Sequence, residues 1–272
     1  MSLKDELSQT KATKGTVQTW WLGGTGFIFK TAAETQVYID PYLSNIAADI
    51  FNLERGFPPP IDPKDAHPDL IIATHTHEDH LDPVALPIIA RNSNTHFICP
   101  GSCKARLTGW GVLPARIDTI TPGETLTFKD VTITATAARH PVDVPGWEVP
   151  DAVGVILEID GVRIYHSGDT EYDLRLRQLK LENLDAAMLT INGGGGNMNA
   201  HEAALLAWWI DVPLIIPMHH ILWKEFGGVI DDIGVTLDPQ LLASTYNKLG
   251  GSGQVHPMQV GENITLTKTR TS

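Results

Sequence analysis

Cysteine is scarce in this sequence. Only Cys99 and Cys103 occur in 272 residues, and no C-x-x-C step or second pair completes a structural zinc site. A local disulfide is the alternative to two reduced, buried thiols, and a reducing compartment favours the thiols. Positive charge is also short: 20 Lys and Arg stand against 32 Asp and Glu, a net charge of −12. Phosphate backbones demand the opposite balance, so nucleic acid is not an expected partner. No apolar run is long enough to cross a bilayer, because the best stretch, 203–218, is broken by Asp211, Pro213 and Pro217. Residues 1–15 are polar, mixed in charge and without the apolar core of an export signal. They read as a flexible tail before a single domain over 16–272, in the cytoplasm.

What is present is an ordinary globular composition, 42% hydrophobic and 19% charged, sufficient for a sizeable core. Strand-type runs occur at 17–22, 27–30 and 37–40, with Gly23-Gly24-Thr25-Gly26 as a turn between the first two. The continuous apolar run 70–74 marks a strand buried on both faces. Further strands are expected at 96–99, 125–128, 131–137, 153–159, 162–166, 186–191, 214–216 and 264–268. Helices are expected at 83–91 (Asp82 as cap), 102–110, 172–180, 200–209 (Asn199 as cap) and 239–249 (Asp238 as cap). The proline-rich run 52–68 reads as a long loop of the kind that serves as a lid. Trp20, Trp21, Trp208 and Trp209 read as core. Strands and helices mixed without strict alternation point to two sheets covered by helices.

The chemistry is concentrated in Thr74-His75-Thr76-His77-Glu78-Asp79-His80, directly after the buried strand. Strand ends are common places for binding side chains. His75 and His77 lie two apart, so an extended backbone points both to one side, where they can grip one metal ion. Asp79 and His80 offer a carboxylate and a third imidazole to a second ion. Zn, Mn and Fe all accept such N/O donors. The bland alternative is a solvated loop with chance histidines, but three of the 11 histidines fall within the six residues 75–80.

His75-x-His77-x-Asp79-His80 resembles the signature of the metallo-β-lactamase fold superfamily. The accompanying motifs follow in order: Asp40 in Tyr38-Ile-Asp-Pro41, His140, Asp169 in Ser167-Gly-Asp-Thr170, and His219 in Pro217-Met-His-His220. Trp20-Trp-Leu-Gly-Gly-Thr-Gly26, Gly109-Trp-Gly-Val112, Tyr165-His-Ser-Gly-Asp169 and Pro217-Met-His-His-Ile-Leu-Trp223 are similar to the L-ascorbate-6-phosphate lactonase (UlaG-like) branch. The resemblance implies a four-layer αββα sandwich, two mixed β-sheets flanked by helices, with the site at one edge. It implies His75, His77 and His140 on one divalent ion, Asp79, His80 and His219 on another, and Asp169 bridging them. Asp79 would also take up a proton. Asp40 would orient the histidines, and His220 and Trp223 would contact substrate or support the site.

The resemblance further implies a hydrolase that attacks a lactone or other ester with a metal-bound hydroxide. Two ions, Mn or Zn with Fe allowed, would serve a small-molecule substrate, with a phosphorylated sugar-acid lactone as the family's example. A homo-oligomer is left open. No basic cluster suited to a sugar phosphate stands out, and Arg139 and Lys224 are the only basic residues near the later motifs. The competing functions are a phosphodiesterase with the same two ions, an iron-dependent oxidoreductase and a non-catalytic binding module.

Overall fold

The computed structural model describes residues 1–141, 145–224 and 237–269. One seven-stranded sheet contains β1 (Thr16–Gly23), β2 (Gly26–Lys30), β3 (Gln36–Ile39), β4 (Leu70–Ile72), β5 (His96–Cys99), β6 (Ile117–Thr119) and β14 (Asn263–Thr267). Their order is β14-β1-β2-β3-β4-β5-β6. The other contains β7 (Thr125–Phe128), β8 (Val131–Ala137), β9 (Val153–Ile159), β10 (Val162–His166), β11 (Ala186–Thr190), β12 (Leu214–Met218) and β13 (Gln254–Val255). Its order is β13-β12-β11-β10-β9-β8-β7. Each sheet changes from antiparallel to parallel at its middle, at β3 in the first and at β10 in the second. The Gly24-Thr25 turn closes the β1–β2 hairpin as the sequence suggests.

Alternation along the strands assigns each side chain to a layer. Val17 and Trp21 of β1, Leu70 and Ile72 of β4, and Val155 and Leu157 of β9 fill the space between the sheets. The intervening Trp20, Leu22 and Ile71 face outward onto α3 (Ala85–Asn92) and α4 (Gly101–Gly109). Tyr165, Ala187 and Leu189 face the opposite way, onto α5 (Ala200–Ile210) and α6 (Pro239–Lys248). Three buried clusters thus separate four layers, the αββα sandwich expected above. Cys99 of β5 and Cys103 of α4 are free thiols, both buried between the first sheet and that helix.

Several sequence expectations are corrected. Residues 1–15 are not a loose tail, because α1 (Leu3–Gln9) buries Leu3 and Leu7 against the outer face of the first sheet. The buried Lys30 amine donates to the Leu7 and Thr10 carbonyls at 2.8 Å, and Trp20 Nε1 donates to Glu6 at 3.1 Å. Propensity could not show this, since the helix is too short to form without those tertiary partners. Residues 174–182 form a 3-10 helix, and their buried leucines, Leu176 and Leu179, stand three apart to suit its repeat. The run 52–68 is not a free lid: Ile61 and Ala66 are buried against the first sheet. A short helix the sequence did not signal, α2 (Ile46–Phe51), leads into it. Trp208 is not core but 40% exposed, while Arg177 stacks on Trp209 at 4.2 Å.

Candidate metal centre

Segments leaving the C-terminal ends of strands from both sheets converge at one edge of the sandwich. Asp40 follows β3, residues 74–80 follow β4, His140 follows β8, Asp169 follows β10, and His219 follows β12. The chain turns beyond these strand ends, and there its side chains are free to gather. Asp40 and His219 make those turns in the left-handed region, at φ 44 and 64. Gly168 does so at φ 56, where a Cβ would sit 2.8 Å from the Val153 carbonyl oxygen and 3.0 Å from Thr74. A side chain there would push Asp169 out of place.

The donor atoms fall into two groups. His75 Nε2 lies 2.9 Å from His77 Nδ1, and His140 Nε2 lies 3.2 Å from the same atom. Asp79 Oδ2 lies 3.8 Å from His80 Nε2 and 3.4 Å from His219 Nε2. Asp169 Oδ2 stands between the groups, 3.7 Å from His140, 3.4 Å from His80 and 3.5 Å from His219. Of the two adjacent histidines, His219 joins this cluster. His220 turns away and stacks on Trp21, with ring centroids 5.1 Å apart.

Outer contacts decide which imidazole nitrogen is available. His80 Nδ1 donates to Asp40 Oδ2 at 2.8 Å, with both residues fully buried, which leaves Nε2 facing the cluster. Asp40 is itself held by the Thr74 amide and hydroxyl at 2.8 and 2.6 Å. His77 Nε2 donates to the Trp147 carbonyl at 3.0 Å, so Nδ1 turns inward, whereas His140 Nδ1 bonds the Gly196 carbonyl and turns Nε2 inward. Asn197 donates to Asp169 Oδ2 at 2.8 Å, and the Asn192 amide lies 3.3 Å from His219 Nδ1. Neither asparagine was singled out in the sequence, and Trp147 was missed as well. The polar run after β11 was the available signal for the asparagines. Nothing local signals a backbone carbonyl.

This arrangement fits cations. Among the described residues His80 Nε2 and Asp169 Oδ1 are buried without a hydrogen-bond partner, which protein interiors rarely tolerate. Three donor sets each draw together within 4.8 Å: His75, His77 and His140; His75, His80 and Asp169; and Asp79, His80 and His219. Electrostatics agree. Burial opposes charge on His80, but Asp169, Asp79 and Asp40 together hold its pKa well above the usual imidazole range. Burial likewise opposes charge on His219, and Asp169 and Asp79 overcome it, raising the pKa to about 10. Burial pushes Asp79 up, yet His80 and His219 bring it down to about 2. His75 moves the other way, kept neutral by burial and by His80. A cluster that already holds protons against its own desolvation is one that divalent cations can occupy in their stead.

The cluster is the floor of a cavity of about 330 Å³. Phe51, Leu53, Trp147, Leu222 and Trp223 form its wall, and Gly194 and Gly195 its rim. Trp223 packs edge-on to Tyr42 at 5.7 Å, and its backbone pairs with Arg55.

A sequence family described as the β-lactamase superfamily domain matches residues 18–219, a span holding every donor above. The chain belongs to that superfamily. Divalent metal ions are implied by the membership and accommodated by the donor sets, and the protein is a metal-dependent hydrolase of the metallo-β-lactamase fold. A relative from Salmonella heidelberg, described as probable L-ascorbate-6-phosphate lactonase UlaG, is 28% identical over 86% of this chain and 77% of its own length. The metallo hydrolase Igni18 from Ignicoccus hospitalis shares the fold at TM-score 0.68 and 22% identity, covering 92% of this chain and 98% of its own. CmlA from Streptomyces venezuelae, a diiron β-hydroxylase, superposes at TM-score 0.69 and 13% identity over 94% of this chain and 55% of its own. No helix among the described residues is long and apolar enough to cross a membrane.

Proposed function

We propose that this superfamily member hydrolyses a lactone or other carboxylic ester, using two divalent cations held at the floor of the cavity. The position of Asp169 carries the reading, because one carboxylate oxygen lies 3.4–3.7 Å from nitrogens of both donor groups. His75 Nε2, His77 Nδ1 and His140 Nε2 would hold one cation, and Asp79, His80 Nε2 and His219 Nε2 the other, with Asp169 shared. Bound there, such ions supply Lewis acidity and acidify water to near-neutral pKa. The N/O donors suit Mn, Zn or Fe.

The chain's own residues do the rest. Asp79 borders the cavity with its carboxylate 3.4 Å from His219 Nε2, which makes it the group placed to relay the proton released when water attacks the ester. His220, held neutral with a pKa of about 4 by burial and by His219, offers the substrate an uncharged imidazole. Asp40, Asn197 and the Trp147 carbonyl fix the donors in advance, so no reorganisation is needed during reaction.

The test is elemental analysis of purified protein together with lactone, ester and phosphodiester assays after reloading with Mn, Zn or Fe. About two equivalents of metal, with ester or lactone hydrolysis lost in His77→Ala and Asp169→Ala, is the expected result. Faster phosphodiester cleavage would replace the ester reading. Iron without hydrolysis of any class would replace it with redox chemistry.

A further inference from the structure

Polar and apolar groups are segregated in the cavity. The floor carries the His and Asp cluster with Asn192 and Asn197, while the wall carries Phe51, Leu53, Trp147, Leu222 and Trp223. The rings of Phe51 and Trp147 meet edge to face with centroids 4.5 Å apart, which joins α2 to the segment bearing Trp147. Trp147 is in turn tilted over His77 at 5.4 Å, so the apolar wall begins directly at the reacting end.

A phosphorylated substrate needs cations to meet its phosphate away from the reacting ester, and Arg and Lys are the side chains that supply them. No described residue lining the cavity is Lys or Arg. The basic side chains next to the lining in sequence, or paired with one of its residues, are already engaged. Arg106 pairs with Glu78 at 3.1 Å, Arg139 with Glu171 at 2.8 Å, and Lys224 with Glu54 at 2.9 Å. Arg55 is buried between the rings of Tyr42 and Phe57 and donates to the Tyr42 carbonyl at 2.6 Å. The stretches 142–144 and 225–236, outside the described residues, contain no Lys or Arg in their sequence either.

We infer that the preferred substrate is an ester or lactone whose non-reacting part is an uncharged aromatic or branched aliphatic group, seated on the Phe51–Trp147–Trp223 wall. This rests on the hydrolase reading above and narrows it. The phosphorylated sugar-acid lactone suggested by the family resemblance is disfavoured, because its phosphate would be stripped of water against apolar side chains without a compensating cation. An aromatic group there sheds its own hydration and meets ring edges at favourable geometry.

The experiment compares three γ-butyrolactones with the same scissile bond, substituted at the γ carbon with phenyl, hydroxymethyl or phosphooxymethyl, on metal-loaded protein. The phenyl compound is expected to exceed the hydroxymethyl compound in kcat/KM by roughly tenfold or more, with the phosphooxymethyl compound no better than the latter. Leu53→Arg, at a half-buried position on the cavity wall, is expected to narrow or invert the ranking. A second readout is independent of turnover. The matching tetrahydrofurans lack the carbonyl, and their binding is followed through quenching of tryptophan fluorescence, with the phenyl compound binding more tightly than the phosphate. Equal or faster hydrolysis of the phosphorylated lactone, or tighter binding of its analogue, overturns the inference and leaves the hydrolase reading standing. An unchanged ranking in folded Leu53→Arg also overturns it. If nothing is hydrolysed the hydrolase reading fails, and the binding comparison alone still decides what the wall accepts.

Discussion

Asp40 Oδ2 and His80 Nδ1 lie 2.8 Å apart in a wholly buried contact between the ends of two neighbouring parallel strands. The carboxylate accepts the imidazole proton and so directs the Nε2 lone pair toward Asp169 and Asp79. Asp40→Asn removes that control. An amide can keep its bond to the Thr74 amide while presenting N–H to His80, which then carries its proton on Nε2. Metal affinity is expected to fall about 10- to 100-fold, as is usual when such a partner is lost. Competition with a chromogenic chelator measures it, and unchanged affinity would show that Asp40 serves only the fold.

Metal loading is expected to release protons. Carboxylates raise the pKa of His80 and His219 above the ordinary imidazole value, so both are protonated near pH 7.5 in the metal-free protein. Cations binding at their Nε2 atoms displace those protons, on the order of two per protein. Affinity therefore weakens as pH falls, because protons compete for the same lone pairs. Calorimetric titration in buffers of different ionisation enthalpy counts the protons, and a value near zero would contradict the assignment.

Arg55→Ala is expected to lower stability by about 2–4 kcal/mol. The buried guanidinium stacks between Tyr42 and Phe57 and bonds carbonyls of Tyr42, Ser44 and Phe57. Burial lowers its pKa only to about 10, so it is charged at neutral pH and those contacts are charge-assisted. Because the side chain ties residues 42–44, whose Tyr42 packs on Trp223, to the 55–57 segment beside Leu53, KM should rise more than kcat falls. Urea denaturation and steady-state kinetics separate the two effects.

Leu7→Ala is expected to cost about 2–3 kcal/mol, within the usual range for a buried leucine. The loss should also open residues 1–15 to proteolysis. If neither changes, α1 contributes nothing to the fold despite its buried contacts with the outer face of the first sheet.

Local pattern made much of this architecture legible. Strand 70–74, the caps Asn199 and Asp238, and the strands 153–159 and 162–166 depend on neighbours within a few residues, and each element stands within a residue or two of its expected bounds. Helix α1 was illegible because its stability comes from Lys30 and Trp20 on other elements. The 3-10 helix at 174–182 was misread because apolar spacings of three and of three to four look alike over so short a run. At the site, His75, His77, Asp79, His80, His140, Asp169 and His219 were named from motif order, and the structure gathers all seven at one edge. Asn192, Asn197 and Trp147 were not, since a hydrogen bond to a donor's far side leaves no periodicity behind.

The sequence by itself determined the strand ends at which the candidate donors stand, because alternation and turn chemistry act between adjacent residues, while the candidate set itself came from the order of motifs shared with the superfamily. Only the tertiary structure decided which nitrogen each imidazole presents. His77 Nδ1 faces inward because a carbonyl 70 residues away takes its other proton, and His140 Nε2 does so through a carbonyl 56 residues away. The same packing chose His219 over His220 and assembled an apolar wall from α2, Trp147 and the segment after His220. Such choices depend on distances between segments remote in the chain, and the folded core is what sets those distances.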